Sequence, residues 1–376
     1  QRREMAVQPA REALDLMLEV HANDEAHPKV MESTLYYAQA LAVVGDFEGA
    51  TAFNRKASAN AARVFGEESR IFGESLSATV PMEIEIGDLT AAIANARKAI
   101  AIYLKEGEPG SATHAGRVRK LGSALLAARS TREASEKLEE AVRFSVASQA
   151  RLDALHARGS LGLALAYQGR FAEADRELRQ TIDESGSMSA RARHLAMRNF
   201  GTLLRLQGSH VDALDWLEKS NEASAIQSSH RGDHAHGLLE AGLTKLELGE
   251  LDGAAELFTK AEALFQDVQG ERVTPARADL WIGMARVQLH LGNSAAALSL
   301  SQRADLAWSH LNAESRWAGE AALWLGRAYL AEGRKAEGLE ALKRADRVLA
   351  RSPLPSDLRL RRLAQKRQFS KQKAFL

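Results

Sequence analysis

The hexapeptide 169–174, Gly-Arg-Phe-Ala-Glu-Ala, combines a helix stop, a tight turn and the start of a new helix. A glycine can adopt the left-handed conformation that ends a helix, and a polar residue after it can help to open the next one. Related hexapeptides recur along the chain, and they begin at Gly45, Gly87, Arg129, Gly169, Gly208, Gly249, Gly292 and Gly333. These turns are 42, 42, 40, 39, 41, 43 and 41 residues apart, which indicates an array of eight helical hairpins.

Short side chains occupy two further columns of the repeat. Seven residues before the turns stand Ala38, Val80, Gly122, Gly162, Gly201, Gly242, Ala285 and Gly326. Twelve residues after the turns stand Ala57, Ala99, Ala141, Thr181, Ser220, Ala261, Ala304 and Ala345. Short side chains let the two helices of a hairpin approach closely, whereas large ones would overpack the contact at about 1–3 kcal/mol.

These columns resemble the tetratricopeptide repeat over residues 30–350. The family repeat is commonly about 34 residues long. Here the turns recur about every 41 residues, a spacing similar to the long-repeat variety of kinesin light chains and of bacterial signalling proteins such as Ser/Thr kinases with C-terminal arrays. The resemblance implies an all-α fold, a right-handed α-α superhelical solenoid of about eight hairpins.

We expect three segments along the chain. Residues 1–29 would form a partial N-terminal repeat or capping helix that starts near Gln8, and residues 30–350 would form the array. Residues 351–376 would form a basic capping helix or tail, since they hold eight Lys or Arg against one Asp. Because the chain starts at Gln1 rather than Met, we also expect it to be a piece of a longer protein.

Composition and motifs argue against several functional classes. The chain has no cysteine, which excludes disulfides, thiolate zinc sites and cysteine nucleophiles. No apolar run is long enough to cross a bilayer, so we expect a soluble protein, cytoplasmic or periplasmic. No phosphate-binding loop or nucleophile motif occurs, so we expect neither an enzyme nor a cofactor. His230, Asp233, His234 and His236 cluster in sequence, but they fix no complete ligand set, and we expect no metal.

The resemblance places the first helix of each hairpin on the concave side of the solenoid. The predicted partner-binding groove then contains Arg119, Tyr167, Arg198, Thr202, Arg205, His236, Arg286 and Arg327. Arginines can bind carboxylates in a two-pronged fork, so the groove suits an acidic or amphipathic peptide or protein. In the alternative interpretation, the same arginines pair with acidic residues of neighbouring repeats.

We therefore predict a non-enzymatic protein–protein interaction scaffold. By resemblance, it would be the partner-binding or sensor module of a larger bacterial signalling protein such as a Ser/Thr kinase, and self-association stays open. The alternative is attachment to nucleic acid or an anionic membrane through the basic tail. That tail carries Arg359, Arg361, Arg362, Lys366, Arg367, Lys371 and Lys373.

Two positions depart from the repeat. Pro81 falls inside the first helix of hairpin 2, where an interior proline removes a hydrogen bond and favours a kink. Arg129 replaces the turn glycine of hairpin 3. The sequence therefore predicts that hairpins 2 and 3 form the weak joint of the array.

Overall fold

The computed structural model describes residues 4–186, 188–225, 231–351 and residue 362. One helix, α1 (Glu4–Val20), precedes eight hairpins. The first helices of the hairpins are α2 (Pro28–Val44), α4 (Arg70–Glu85), α6 (Ala112–Ala127), α8 (Arg151–Tyr167), α10 (Ala190–Gln207), α12 (Arg231–Leu248), α14 (Pro275–His290) and α16 (Arg316–Ala331). The second helices are α3 (Phe47–Phe65), α5 (Leu89–Glu106), α7 (Thr131–Ala147), α9 (Phe171–Ser185), α11 (His210–Ala225), α13 (Leu251–Gln269), α15 (Ser294–Asn312) and α17 (Lys335–Leu349). The predicted all-α superhelical solenoid is confirmed.

The turn within each hairpin has the left-handed conformation that the glycine column predicts. The turn glycines all have positive φ, from 75° at Gly333 to 94° at Gly208. Hairpin 3 has Arg129 in place of the turn glycine, but this residue keeps the left-handed conformation, with a φ of 61°. It also keeps the hydrogen bonds, since its N–H donates to the Leu126 carbonyl at 2.9 Å and the Ser130 N–H donates to the Leu125 carbonyl at 2.9 Å. The turn is therefore fixed by the hairpin, and the arginine is strained within it.

In five hairpins, the glycine seven residues before the turn faces one large apolar side chain of the second helix. A Cβ atom built on Gly162 would lie 2.4 Å from Leu178 Cγ. Four other hairpins repeat this arrangement with the pairs Gly122–Leu138, Gly201–Leu217, Gly242–Phe258 and Gly326–Leu342. In these five hairpins the large residue stands nine positions after the turn, and Leu178 is fully buried. Its side chain packs into the space that the glycine leaves between the two helices.

The ends of the array differ from the sequence prediction or lie beyond it. Helix α1 begins at Glu4, about one turn before the predicted start at Gln8, and Pro9 lies inside it. Of the predicted basic segment, only Arg351 and Arg362 fall among the described residues. The tail, and with it the alternative of nucleic-acid or membrane attachment, lies outside the described part of the chain.

Pro81 does not end helix α4, which continues to Glu85. Proline has no N–H, so the carbonyl of Ser77, four residues earlier, loses its helical donor. Lys120 replaces that donor from helix α6, since its Nζ atom donates to the Ser77 carbonyl at 2.7 Å and to Ser77 Oγ at 3.0 Å. The irregularity in hairpin 2 is thus stabilised by a side chain of hairpin 3.

The superhelix closes on itself, because the turns of hairpins 1–3 contact hairpins 5–8. Phe47, Ile86 and Val268 form one buried apolar cluster across this contact. Glu48 forms an ion pair with Arg272, although 224 positions separate them in the sequence. We call this contact the seam; hairpins 1–3 supply one side of it and hairpins 5–8 the other. It borders the space inside the superhelix.

Candidate functional site

A connected series of cavities runs along the inside of the superhelix. The main cavity has a volume of about 400 Å³. It shares Pro81, Glu85 and Arg191 with a second cavity of about 210 Å³, which continues into a third of about 390 Å³ in hairpins 1 and 2. In the other direction, the main cavity shares Arg129 and Tyr167 with a small one of about 50 Å³. We call this series the channel.

The structure places most of the predicted groove residues in the channel wall. Arg119, Tyr167, Arg198, Thr202 and His236 line the main cavity. Arg205 and Arg286 line the small cavity next to it. Arg327 lines neither and lies over the Trp324 ring, with its guanidinium carbon 5.4 Å from the ring centroid. Seven of the eight positions therefore line two adjoining cavities of the channel, and Arg327 is the exception.

Four of the five groove arginines pair with acidic residues of the next or preceding hairpin. Arg119 Nε lies 2.8 Å from Asp153 Oδ1, and Arg205 Nη2 lies 2.7 Å from Glu240 Oε2. The other two pairs are Arg198–Asp233 at 3.7 Å and Arg286–Glu247 at 2.8 Å. The structure thus favours the alternative interpretation of these arginines. An acidic ligand would have to compete with carboxylates that are already in place.

Arg129 is a channel residue that the sequence prediction missed. Its Nη2 atom lies 2.8 Å from Asp279 Oδ2 on helix α14, and its Nη1 atom donates to the Tyr167 hydroxyl at 2.7 Å. Its guanidinium also stacks over the rings of Tyr167 and Trp317, at 4.7 and 5.3 Å from their centroids. Burial raises the pKa of Asp279 to about 6, and the charge of Arg129 limits that rise. Arg129 therefore joins hairpin 3 to hairpins 4, 7 and 8.

Glu85, Arg191 and Asp233 form an ion-paired group at the narrow point between two cavities. Arg191 Nη2 lies 3.2 Å from Glu85 Oε1 and 3.0 Å from Asp233 Oδ2. Burial and the nearby charge of Asp233 raise the pKa of Glu85 to about 7, while Arg191 lowers it. These residues come from hairpins 2, 5 and 6, so the group ties the two sides of the seam together inside the channel.

Two histidines of the channel wall are held in the neutral form. Burial and the charge of Arg198 lower the pKa of His236 to about 3. Burial and the charge of Arg119 lower the pKa of His156 to about 4. A neutral imidazole carries one donor and one acceptor, so both rings can hydrogen-bond a ligand without adding charge.

The predicted histidine cluster does not converge on one point. His236 lies edge-on to Phe265 with ring centroids 5.2 Å apart, and His234 Nδ1 is 2.9 Å from Ser224 Oγ. His230 lies outside the described residues. Over residues 4–186, 188–225 and 231–351, no group of three or more His, Cys, Asp or Glu could hold a metal ion.

The N-terminal part of the channel is less charged than the main cavity. Its 390 Å³ cavity is lined by Leu35, Tyr36, Gln39, Asn54, Ala78 and Met82, with Glu32 as the charged residue. Tyr36 is 61% exposed even though it is a large aromatic side chain. The channel therefore offers apolar and uncharged polar surface at one end and charged groups at the other.

The departures from the repeat could have indicated this site. Pro81 and Arg129 both line the main cavity, and Lys120, which repairs the helix around Pro81, lines it too. Lys120, Glu85 and Arg191 had no signal of their own in the sequence. Their position depends on the closing of the superhelix, which brings residues more than 100 positions apart into contact.

Two tetratricopeptide repeat families match the sequence. One matches residues 160–225 and 239–310, and the other matches residues 319–344. Comparison with curated protein sequences finds no significant match. None of the described helices has the length and apolar character that crossing a membrane requires.

Solved structures with low sequence identity have the same fold. The APC/C hetero-tetramer Cut9-Hcn1 contains a chain similar to this one at 14% identity and a TM-score of 0.60, covering 95% of this chain and 59% of that chain. The Rap conjugation gene regulator of plasmid pLS20, in complex with the Phr* peptide, is similar at 13% identity and a TM-score of 0.59, covering 98% and 99%. A Rap protein complexed with competence and sporulation factor is similar at 12% identity and a TM-score of 0.58, covering 90% and 96%. At these identities the likeness concerns the fold alone.

Proposed function

We propose that this chain, which belongs to the tetratricopeptide-repeat superfamily, is a non-enzymatic binding protein that holds a peptide segment in its channel. The observation that carries the proposal is the continuity of the cavities from hairpin 1 to hairpin 8. Ligand sites are concave, largely preformed and lined by apolar surface with a few polar groups, and they measure roughly 300–1,000 Å³. The channel is concave, and its two larger cavities, of about 400 and 390 Å³, fall within that range, although the main cavity has more charged groups in its wall than most such sites.

The shape of the channel favours an extended ligand over a compact one. Its cavities lie in series and share lining residues only at narrow points such as Glu85 and Arg191. A peptide segment can pass such points with its backbone and place side chains in the wider cavities. Two structures with a similar fold contain a Phr* peptide and a competence and sporulation factor, which supports a ligand of this kind.

We infer further that binding serves regulation of a partner or of a neighbouring domain. A segment in the channel would touch both sides of the seam, hairpins 1–3 and hairpins 5–8. A ligand that contacts two parts of a closed structure shifts the balance between its closed and open forms. This role agrees with the bacterial signalling setting, such as a Ser/Thr kinase, that the long repeat suggests.

Selection from a phage-displayed library of random peptides would test the binding proposal. We expect the wild-type chain to enrich a family of related peptides. Ser160 lines the main cavity, so the variant Ser160→Trp should fill it and weaken binding of the enriched peptides by at least about tenfold.

Ala172 provides the matched control, since it is exposed on helix α9. The variant Ala172→Trp adds the same side chain outside the channel and should bind like the wild type. Equal binding by both variants would place the peptide site outside the channel and refute the proposal.

A further inference from the structure

Lys120 differs from the other cations of the main cavity wall in its partners. Arg119, Arg129, Arg191 and Arg198 each have an acidic partner within 4 Å, as described above. Lys120 has no carboxylate within ion-pair distance in the part of the chain that the structure describes. The ammonium group contacts the carbonyl and the hydroxyl of Ser77, and both of these are neutral acceptors. Lys120 therefore supplies a positive charge to the channel that the fold itself does not neutralise.

The position of this ammonium group follows from Pro81. The proline frees the Ser77 carbonyl, and that carbonyl holds Lys120 Nζ against helix α4, beside the cavity. An ammonium group has three donors, and the two contacts with Ser77 leave one for a ligand. Because a neutral acceptor does not compete with a carboxylate for the charge, the lysine is already placed to receive an anion.

We infer that Lys120 is the anion-binding point of the channel and binds the carboxylate of an acidic residue in the peptide. This inference rests on the proposed function. A carboxylate carries one negative charge, which matches the one cation without an acidic partner. A phosphate dianion would bring a second charge near Glu85, Asp233 and Glu240, which line the same cavity. Pro81, Ile84 and Leu155 line it as well and can contact the methylene groups of the acidic residue.

The titration of Lys120 agrees with this role. Burial, followed by the charges of Arg119 and Arg117 on the same helix, lowers the pKa of Lys120 to about 8. Asp153 on helix α8 opposes this shift, but its carboxylate is bound to Arg119. A ligand carboxylate would favour the charged ammonium and raise the pKa. At pH 9, where most of the free lysine is neutral, peptide binding should therefore take up a proton, and at pH 7 it should take up little.

A parallel peptide selection tests the inference. The wild type and the variants Lys120→Met and Lys260→Met would each be presented to the same library of random peptides. Lys260 is an exposed lysine on helix α13, which makes it the matched control. We expect the wild type and Lys260→Met to enrich peptides with Asp or Glu at one fixed position, and Lys120→Met to lose that preference.

A double-mutant cycle with one enriched peptide would then measure how much the contact between Lys120 and the peptide carboxylate contributes to binding. Replacing the peptide's acidic residue by its amide should weaken binding to the wild type roughly ten- to a hundredfold, and binding to Lys120→Gln hardly at all. Glutamine keeps a neutral donor for Ser77, so this variant guards against a loss of folding. Calorimetry at pH 9 in buffers of different ionisation enthalpy should show proton uptake with the wild type and none with Lys120→Gln.

The outcomes separate the inference from the proposed function. The role of Lys120 would be overturned if the enriched peptides shared no acidic position. It would also be overturned if the amide substitution in the peptide weakened binding to the wild type and to Lys120→Gln equally. Either result would leave the channel as the binding site. A wild type that enriches no peptide family would overturn both.

Discussion

The same turn occurs in two environments in this molecule. In hairpins 1–3 it lies against the seam and its residue at the left-handed position is half-buried, whereas in hairpins 5–8 it faces open space, since no atom lies within 4 Å of a Cβ built on Gly208, Gly249, Gly292 or Gly333. The residue before the turn glycine illustrates the difference. Ile86 in hairpin 2 is 1% exposed, and Leu291 at the same position of hairpin 7 is 52% exposed. A repeat position therefore acquires its energetic role from the superhelix and not from the repeat alone.

One substitution beside a turn at the seam and one beside an open turn allow the stability contributions of the two positions to be compared. Ile86→Asp would place a carboxylate in the apolar cluster with Phe47 and Val268, which we expect to destabilise the protein by about 4 kcal/mol or more. Leu291→Asp would change an exposed side chain at a helix end and should cost less than about 1 kcal/mol. Urea denaturation of both variants measures the contrast. Similar losses in the two variants would mean that the seam does not form in solution.

The arginine in the turn of hairpin 3 gives a second test. Arg129→Gly would relieve the backbone strain, worth roughly 1 kcal/mol, but would leave Asp279 buried without its cation, at a cost of roughly 3–5 kcal/mol. We therefore expect a net loss of roughly 2–4 kcal/mol near pH 8. Thermal denaturation of the variant and the wild type would measure this loss.

The pH dependence of this variant has a definite sign. The pKa of Asp279 is already about 6 in the folded wild type, above its usual value, and loss of Arg129 should raise it further. A group with a raised folded pKa binds more protons in the folded state, so its unfavourable contribution disappears as the pH falls. The decrease in the free energy of unfolding caused by Arg129→Gly should therefore be smaller at pH 5 than at pH 8. A variant more stable than the wild type would show that strain outweighs the ion pair and that hairpin 3 is weak, as the sequence predicts.

The turn glycines themselves provide the smallest expected contrast. Gly87 and Gly292 have nearly equal φ values, 82° and 79°, so alanine strains both backbones alike. A Cβ on Gly87, however, would lie 2.4 Å from Thr274 Cγ2 across the seam. Gly87→Ala should thus cost about 1–2 kcal/mol more than Gly292→Ala. The difference between their denaturation midpoints checks this, and equal midpoints would place Thr274 away from the turn.

The fold could be predicted from the sequence because each column of the repeat meets a local requirement. The glycine at position 208 must end helix α10, and the glycine at 162 must admit Leu178. The channel could not be predicted in the same way. Its closure depends on the rotation that accumulates over successive hairpins, and no single repeat encodes that sum. Arg129 and Asp279 meet across 150 positions, and neither residue indicates the other in the sequence.

The two departures from the repeat, Pro81 and Arg129, indicate where the channel lies. Pro81 and Arg129 look like defects when each hairpin is considered alone. In the folded chain, Lys120 compensates the first and the ion pair with Asp279 compensates the second. Both compensating contacts lie in the channel wall. In an array of near-identical units, a site that occurs once has to be built from residues that break the pattern.

Chemical cross-linking across the seam tests the central claim most directly. The chain has no cysteine, so the pair Glu48→Cys and Arg272→Cys would be its only thiols. These residues form an ion pair across the seam, whereas Lys219 lies on helix α11 with an exposed side chain and can replace Arg272 in a control pair with Glu48→Cys. A short bismaleimide should cross-link residues 48 and 272 rapidly within one chain and leave the control pair unlinked. Equal, low yields from both pairs would contradict a closed superhelix and the channel that depends on it.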